Sequence, residues 1–109
     1  MVRLVAKRVH IGWTTLPSRE EADRLAASTV ESGLAACAQV DGPGRSHYTW
    51  EGEIKADEEW RVTFKYSSDR ETDLQAWILS RHPYAVPQWV AIDAVAISPA
   101  YQAWILGTR

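Results

Sequence analysis

The chain is poor in sulfur and carries no surplus of positive charge. Its 109 residues include one cysteine, one methionine and one phenylalanine. With Cys37 alone, no intrachain disulfide can form, which suits a reducing compartment. The sequence has no Cys-x-x-Cys pair, no His-Glu-x-x-His, no glycine-rich phosphate loop and no Gly-x-Ser-x-Gly elbow. The usual zinc, nucleotide and hydrolase signatures are therefore missing. Twelve Lys and Arg against 14 Asp and Glu give a net charge of −2, without the basic footprint of a nucleic-acid binder. Charges interrupt the stretch from Val2 to Ile11 before an apolar signal-peptide core can form. The longest low-charge run, Pro83 to Ile92, is broken by Pro87 and falls far short of the roughly 20 residues of a membrane span. These absences predict a soluble, cytoplasmic protein with neither nucleic acid nor membrane as a partner.

What is present is a globular composition, 46% hydrophobic and 24% charged, at a length that suits one domain over residues 1–109. Six tryptophans stand out. A domain of this size buries roughly 60–70% of the surface of its unfolded chain, and each Trp brings on the order of 200 Å². Trp13, Trp50, Trp60, Trp77, Trp89 and Trp104 together overfill one small core, so some of them are expected to face a partner.

Hydrophobic periodicity sets the element order. Val5, Val9, Ile11 and Trp13 share one face of a first strand over about Val2 to Trp13. Ser18 to Glu21 has the form of a capping box and starts a helix to about Ser32, with a stripe of Ala22, Leu25, Ala26, Thr29 and Val30 and a C-capping Gly33. Leu34 to Val40 reads as a second strand, buried on both faces. Asp41 to Gly44 breaks or bends it, and alternation resumes from Arg45 to Trp50. Glu51-Gly52 marks a bulge or turn near a hairpin tip, and Asp57 to Glu59 a solvated return. Trp60, Val62, Phe64 and Tyr66 then alternate strictly with Arg61, Thr63 and Lys65, so one face is core. A second helix follows from Arg70 to Arg81, then a stiff His82 to Pro87 loop, a last strand from Trp89 to Ile97, and a short helix opened by Ser98-Pro99. The predicted fold is α+β: a ferredoxin-like βαββαβ sandwich with a four-stranded antiparallel sheet, a long hairpin between its second and third strands and a short C-terminal helix. Both long helices cover one face. The other is open, and its apolar residues favour self-association.

No standard spacing links the titratable residues His10, His47, His82, Cys37 and Lys65. Cys37 in an Ala-rich strand reads first as a small packed residue and second as a soft metal ligand. His82 reads either as a helix-ending residue or as a ligand held by a stiff loop, and Lys65 as an anion contact on the polar side of a core strand. His10 and His47 fall on polar strand faces, where solvated or interfacial roles are expected. No nucleophile–base or acid–base pair is apparent, so an enzyme is not expected.

Several of these pieces together resemble one family. Leu34-Ala35-Ala36-Cys37, Ser46-x-Tyr48-x-Trp50-Glu51-Gly52-x-Ile54, Phe64-Lys65, His82-Pro83-Tyr84-x-Val86-Pro87 and Ser98-Pro99-Ala100-Tyr101-x-x-Trp104 look like the CutA divalent-cation tolerance proteins. The resemblance implies a tight homotrimer, similar in build to PII signalling trimers, with a role in tolerance of copper or another divalent metal. It implies copper ligation, with zinc second, by His82 and Cys37, and an intersubunit cleft formed by Trp50, Lys65, Tyr84 and Tyr101. Where the family carries a carboxylate after the second proline of the His-Pro-Tyr motif, this chain has the neutral amide Gln88. Two other readings follow from the same build: a PII-like sensor binding a small anionic ligand at Lys65, or a structural trimer that scaffolds a partner protein.

Overall fold

Strict alternation over Trp60 to Tyr66 builds the middle of the sheet. A computed structural model describes residues 6–107; Val2 to Val5, placed above in the first strand, lie outside them. The elements run β1 (Val9–Leu16), α1 (Arg19–Glu31), β2 (Cys37–Trp50), β3 (Glu53–Ser67), α2 (Glu71–Arg81), β4 (Val90–Asp93) and α3 (Pro99–Leu106), with a 3-10 turn at Ser68–Arg70 leading into α2. The four strands form one antiparallel sheet in the order β2-β3-β1-β4, as expected for a ferredoxin-like domain. Val62, Phe64 and Tyr66 of β3 are fully buried and meet Leu25 and Ala26 of α1 and Leu74 and Ile78 of α2 in the main core.

The two long helices start as their sequences dictate, with small differences. Ser18 accepts a hydrogen bond from the Glu21 amide and donates to its carboxylate, while Gly33 takes φ 82 just past the end of α1. Val30 stays exposed rather than joining the buried stripe. No side chain caps the start of α2; Ser68 accepts from the Arg8 amide, which ties the 3-10 turn to the chain before β1.

Four strand expectations are corrected. First, β1 begins at Val9, and its helix-facing side is His10, Gly12, Thr14 and Leu16, the rungs opposite Tyr66, Phe64, Val62 and Trp60. Ile11 and Trp13, the expected apolar face of this strand, point away from the helices; Val9 is buried on that side, against Ala36 and Ile105. A hydrophobic alternation identifies which residues share a face, and here the neighbouring strand decides which face is core. Second, Leu34 to Val40 is not doubly buried, because β2 lies at the edge of the sheet and runs on to Trp50 as one strand. Gly42 and Pro43 form the bulge, two residues opposite Trp60 alone, between the Asp41–Arg61 and Gly44–Glu59 rungs. Third, Asp57 to Glu59 is not a solvated turn but part of β3; Glu51 and Gly52, both at positive φ, make a two-residue turn between Trp50 and Glu53. Fourth, the last strand spans only Val90–Asp93, because its partner β1 begins at Val9 and Ala94 finds the last carbonyl, that of Val9.

The open face is not wholly open. Helix α3 lies over one end of it, where Ile105 closes a small second core with Val9 and Ala36, flanked by Ile97 and Tyr101. Beyond α3, the remaining apolar surface includes Val90 and Ile92, 52% and 50% exposed.

Of the six tryptophans, some of them expected to face a partner, Trp89 packs against the main core over Gly12. A methyl group at residue 12 would lie 2.5 Å from the Trp89 ring. Overpacking of this kind costs about 1–3 kcal/mol, so Gly12→Ala is expected to lower the melting temperature measured by calorimetry, and Gly44→Ala, where a methyl meets nothing closer than 3.8 Å, to lower it less.

Candidate functional site

The alternation that buries Val62, Phe64 and Tyr66 sends Lys65, Thr63, Arg61 and Glu59 to the opposite side of β3. Cys37 is the β2 rung opposite Lys65 and shares its side. Helix α3 crosses above and lowers Tyr101 between them. The Cys37 Sγ lies 3.6 Å from the Tyr101 hydroxyl oxygen, and the Lys65 ammonium sits 5.3 Å from the centre of the Tyr101 ring. Trp104 stacks on Tyr101 with centroids 5.8 Å apart, and Lys65 also reaches the Gln39 amide oxygen at 3.5 Å. The hydrogen bond with Cys37 and partial burial raise the Tyr101 phenol's pKa, against the pull of Lys65. A thiol, an ammonium and two stacked aromatic rings thus converge on the open side of the sheet, beside its apolar surface.

His82 is elsewhere. The loop after α2 folds back over the end of β1, where the His82 Nε2–H donates to the Thr15 carbonyl at 2.8 Å and lies 3.0 Å from the Thr14 hydroxyl. Its Nδ1 accepts from the Tyr84 amide at 3.2 Å. Both ring nitrogens are therefore used, and the Thr15 carbonyl fixes the neutral Nε2–H tautomer. Burial pushes the His82 pKa down, and the bond to Thr15 and the charges of Glu21 and Glu59 only partly restore it. Tyr84 packs beside the imidazole at 4.9 Å and donates to Glu59 at 2.8 Å, so the His-Pro-Tyr segment staples the loop to β1 and to the root of the hairpin. Burial and the Glu59 carboxylate raise the Tyr84 phenol's pKa.

Of the expected site residues, the fold brings together Cys37, Lys65 and Tyr101. It does not bring His82 to them: His82 is bonded to the Thr14–Thr15 end of β1, while Cys37 faces the open side near α3. Trp50 lies at the hairpin tip, opposite Glu53. Twelve residues of β3 separate Glu53 from Lys65, about 40 Å at ~3.3 Å per residue. Tyr84 meets β3 midway, at Glu59, and Gln88 is exposed in the loop before β4. Among the described residues, no group of three or more His, Cys, Asp and Glu side chains could hold a metal ion.

A second polar cluster escaped the sequence reading. His10, expected to be solvated or interfacial, is held between two carboxylates, with Nδ1 2.6 Å from Glu71 and Nε2 2.9 Å from Asp93. Glu71 also accepts from the Tyr66 hydroxyl and from the Trp89 indole at 3.0 Å. Burial pushes the Glu71 carboxyl up, but the donors Tyr66, His10 and Trp89 outweigh it and hold its pKa below the ordinary value. The one local sign was a histidine on the same strand face as a glycine and a threonine, a pattern that does not reveal partners 61 residues away.

The family model described as "CutA1 divalent ion tolerance protein" matches residues 10–108. The chain is 32% identical over 96 residues to the divalent-cation tolerance protein CutA of Pyrococcus horikoshii, covering 88% of this chain and 93% of that one. It is 33% identical over 91 residues to the namesake protein of Thermus thermophilus, covering 84% and 88%. Among solved structures, CutA from Synechococcus elongatus superposes with a TM-score of 0.85 at 37% identity, covering 90% of this chain and 87% of that one.

The depressed pKa of His82 has a definite sign. Its neutral form contributes stability that is complete above the unfolded value of about 6.5 and is lost as pH falls from there through the lower folded value. The melting temperature of the native chain is expected to fall on acidification from pH 7 to 5, and His82→Gln, which cannot titrate, to show a shallower fall. Equal slopes would remove His82 as the source.

Proposed function

Because the chain belongs to the CutA1 divalent ion tolerance protein family, we propose that it acts in divalent-cation tolerance as a non-enzymatic, cytoplasmic homotrimer assembled through the open side of its sheets. The single observation that carries assembly is the spread of the cleft residues. Trp50 beside Glu53, Tyr84 at Glu59 and Tyr101 at Lys65 meet β3 at points spread over about 40 Å, too far apart to act on one small ligand within a protomer. A neighbouring copy that brings its hairpin tip to the Lys65 end of this one would close them into a single cleft. The exposed Val90, Ile92 and Trp104 supply apolar surface for the contact.

Within that assembly copper is the first metal proposed and zinc the second, with Cys37 as the soft donor. Since no further donors gather at Cys37 among the described residues, the metal site is proposed to draw on more than one copy. His82 would join only by giving up its bonds to Thr15 and Tyr84.

A second reading rests on a separate observation. The Lys65 ammonium over Tyr101, beside Gln39 and the Tyr101–Trp104 stack, offers a cation, an amide and a flat aromatic wall. This is suited to a small anionic ligand, as in a PII-like sensor. A trimer that only scaffolds another protein would bind neither metal nor anion.

Native mass spectrometry with and without copper or zinc is expected to find a trimer with metal bound in a fixed ratio; a monomer would sink the shared cleft. Calorimetric copper titration is expected to lose affinity at least about tenfold in Cys37→Ala, as removal of a first ligand does, and to change less in His82→Ala. For the anion reading, a carboxylate or phosphate compound that raises the melting temperature should lose that effect in Lys65→Ala.

A further inference from the structure

Strand β4 buries little of its own. Val90, Ile92 and Asp93 are exposed, and four rungs join it to β1, against the eight that join β1 to β3. A short edge strand with exposed side chains belongs at the low-stability end of a fold. Its position is fixed from the side, at both of its ends, by a single polar cluster.

At the leading end, Trp89 sets the edge of its six-membered ring into the notch that Gly12 leaves in β1, with its ring 6.0 Å from Phe64 and 6.3 Å from Tyr66 between centroids. Its indole N–H is tied to Glu71 at 3.0 Å. At the trailing end, Asp93 lies 2.9 Å from His10 Nε2 and accepts from Arg8 at 3.1 Å. His10 in turn contacts the same Glu71 at 2.6 Å, so Glu71, at the first turn of α2, anchors one end of β4 directly and the other through His10. Tyr66 donates to Glu71 from β3 and completes the set. The Cys37–Lys65–Tyr101 cluster lies on the other side of the sheet.

The geometry points to a latch: the Trp89–Glu71–His10 cluster holds β4 on the edge of β1, and its loss frees β4, with Val90 and Ile92, while the rest of the sheet stays folded. Because β4 carries part of the apolar surface of the open side, the latch also sets whether that surface is in place for a second copy. This last step rests on the self-association proposed above; the latch itself does not.

Glu71→Gln weakens the common acceptor, and Trp89→Phe keeps a ring over Gly12 while removing only the indole N–H. Both variants of the full chain are compared with the native protein by hydrogen–deuterium exchange and by native mass spectrometry on the same samples. Loss of a hydrogen bond to a charged group is expected to speed exchange of the β4 amides about tenfold, while amides of β3 around Val62 and Phe64 keep their native rates and the assembled fraction falls. Unchanged β4 exchange overturns the latch, and so does equal acceleration in every strand, which would mark general destabilisation. A native chain that is monomeric overturns the assembly step alone, and the exchange rates of β4 then decide the latch by themselves.

Discussion

The alternation of β3 is the constraint on which the rest of the molecule depends. Val62, Phe64 and Tyr66 are buried on one side, so Lys65, Arg61 and Glu59 must stand on the other. That one parity fixes the core, orients β1 and β2 through their rungs, and decides which side chains are offered to a ligand or partner. A slip of one residue would exchange the two sides completely. With aromatic and β-branched residues filling a close-packed interior on one side, and charges on the other, such a slip is costly.

The same parity separates functions that the sequence placed side by side. Cys37 follows Lys65 to the open side, where α3 adds Tyr101 and Trp104. His82 follows the loop after α2 to the end of β1, where both of its nitrogens are consumed in holding the loop. A neutral, doubly bonded imidazole is a good fastener and a poor free ligand. The fastened loop places Tyr84 on Glu59, which gives the hairpin a fixed root although its outer half has no core beneath it. An arm of this length, in a molecule whose longest dimension is 52 Å with the arm included, gains stability mainly by being covered.

Polar chemistry inside the sandwich does different work. Glu71 is a half-buried carboxylate that would be costly alone, and three donors from β1, β3 and the start of β4 make it a junction instead. Gly12 belongs to this junction through what it lacks: without a Cβ, it lets Trp89 lie on the sheet and reach Glu71. Trp60 packs on the core as its alternation indicated and Trp77 packs there from α2, whereas Trp89 joins them only because of that notch.

The sequence by itself determined the element order, the capped start of α1, the glycine at its end, the core side of β3 and the family to which the chain belongs. Each of these is set by residues close together in the chain, through period, capping or turn chemistry, or by motifs read in order. Tertiary structure alone decided which face of β1 is core, where β4 stops, that β2 is an edge, and that His82 and Cys37 part company. It also assembled His10, Tyr66, Glu71 and Trp89. The physical reason is range: periodicity reports which side chains share a face, but the register between strands decides what that face meets. A hydrogen bond between residues 61 positions apart leaves no local pattern.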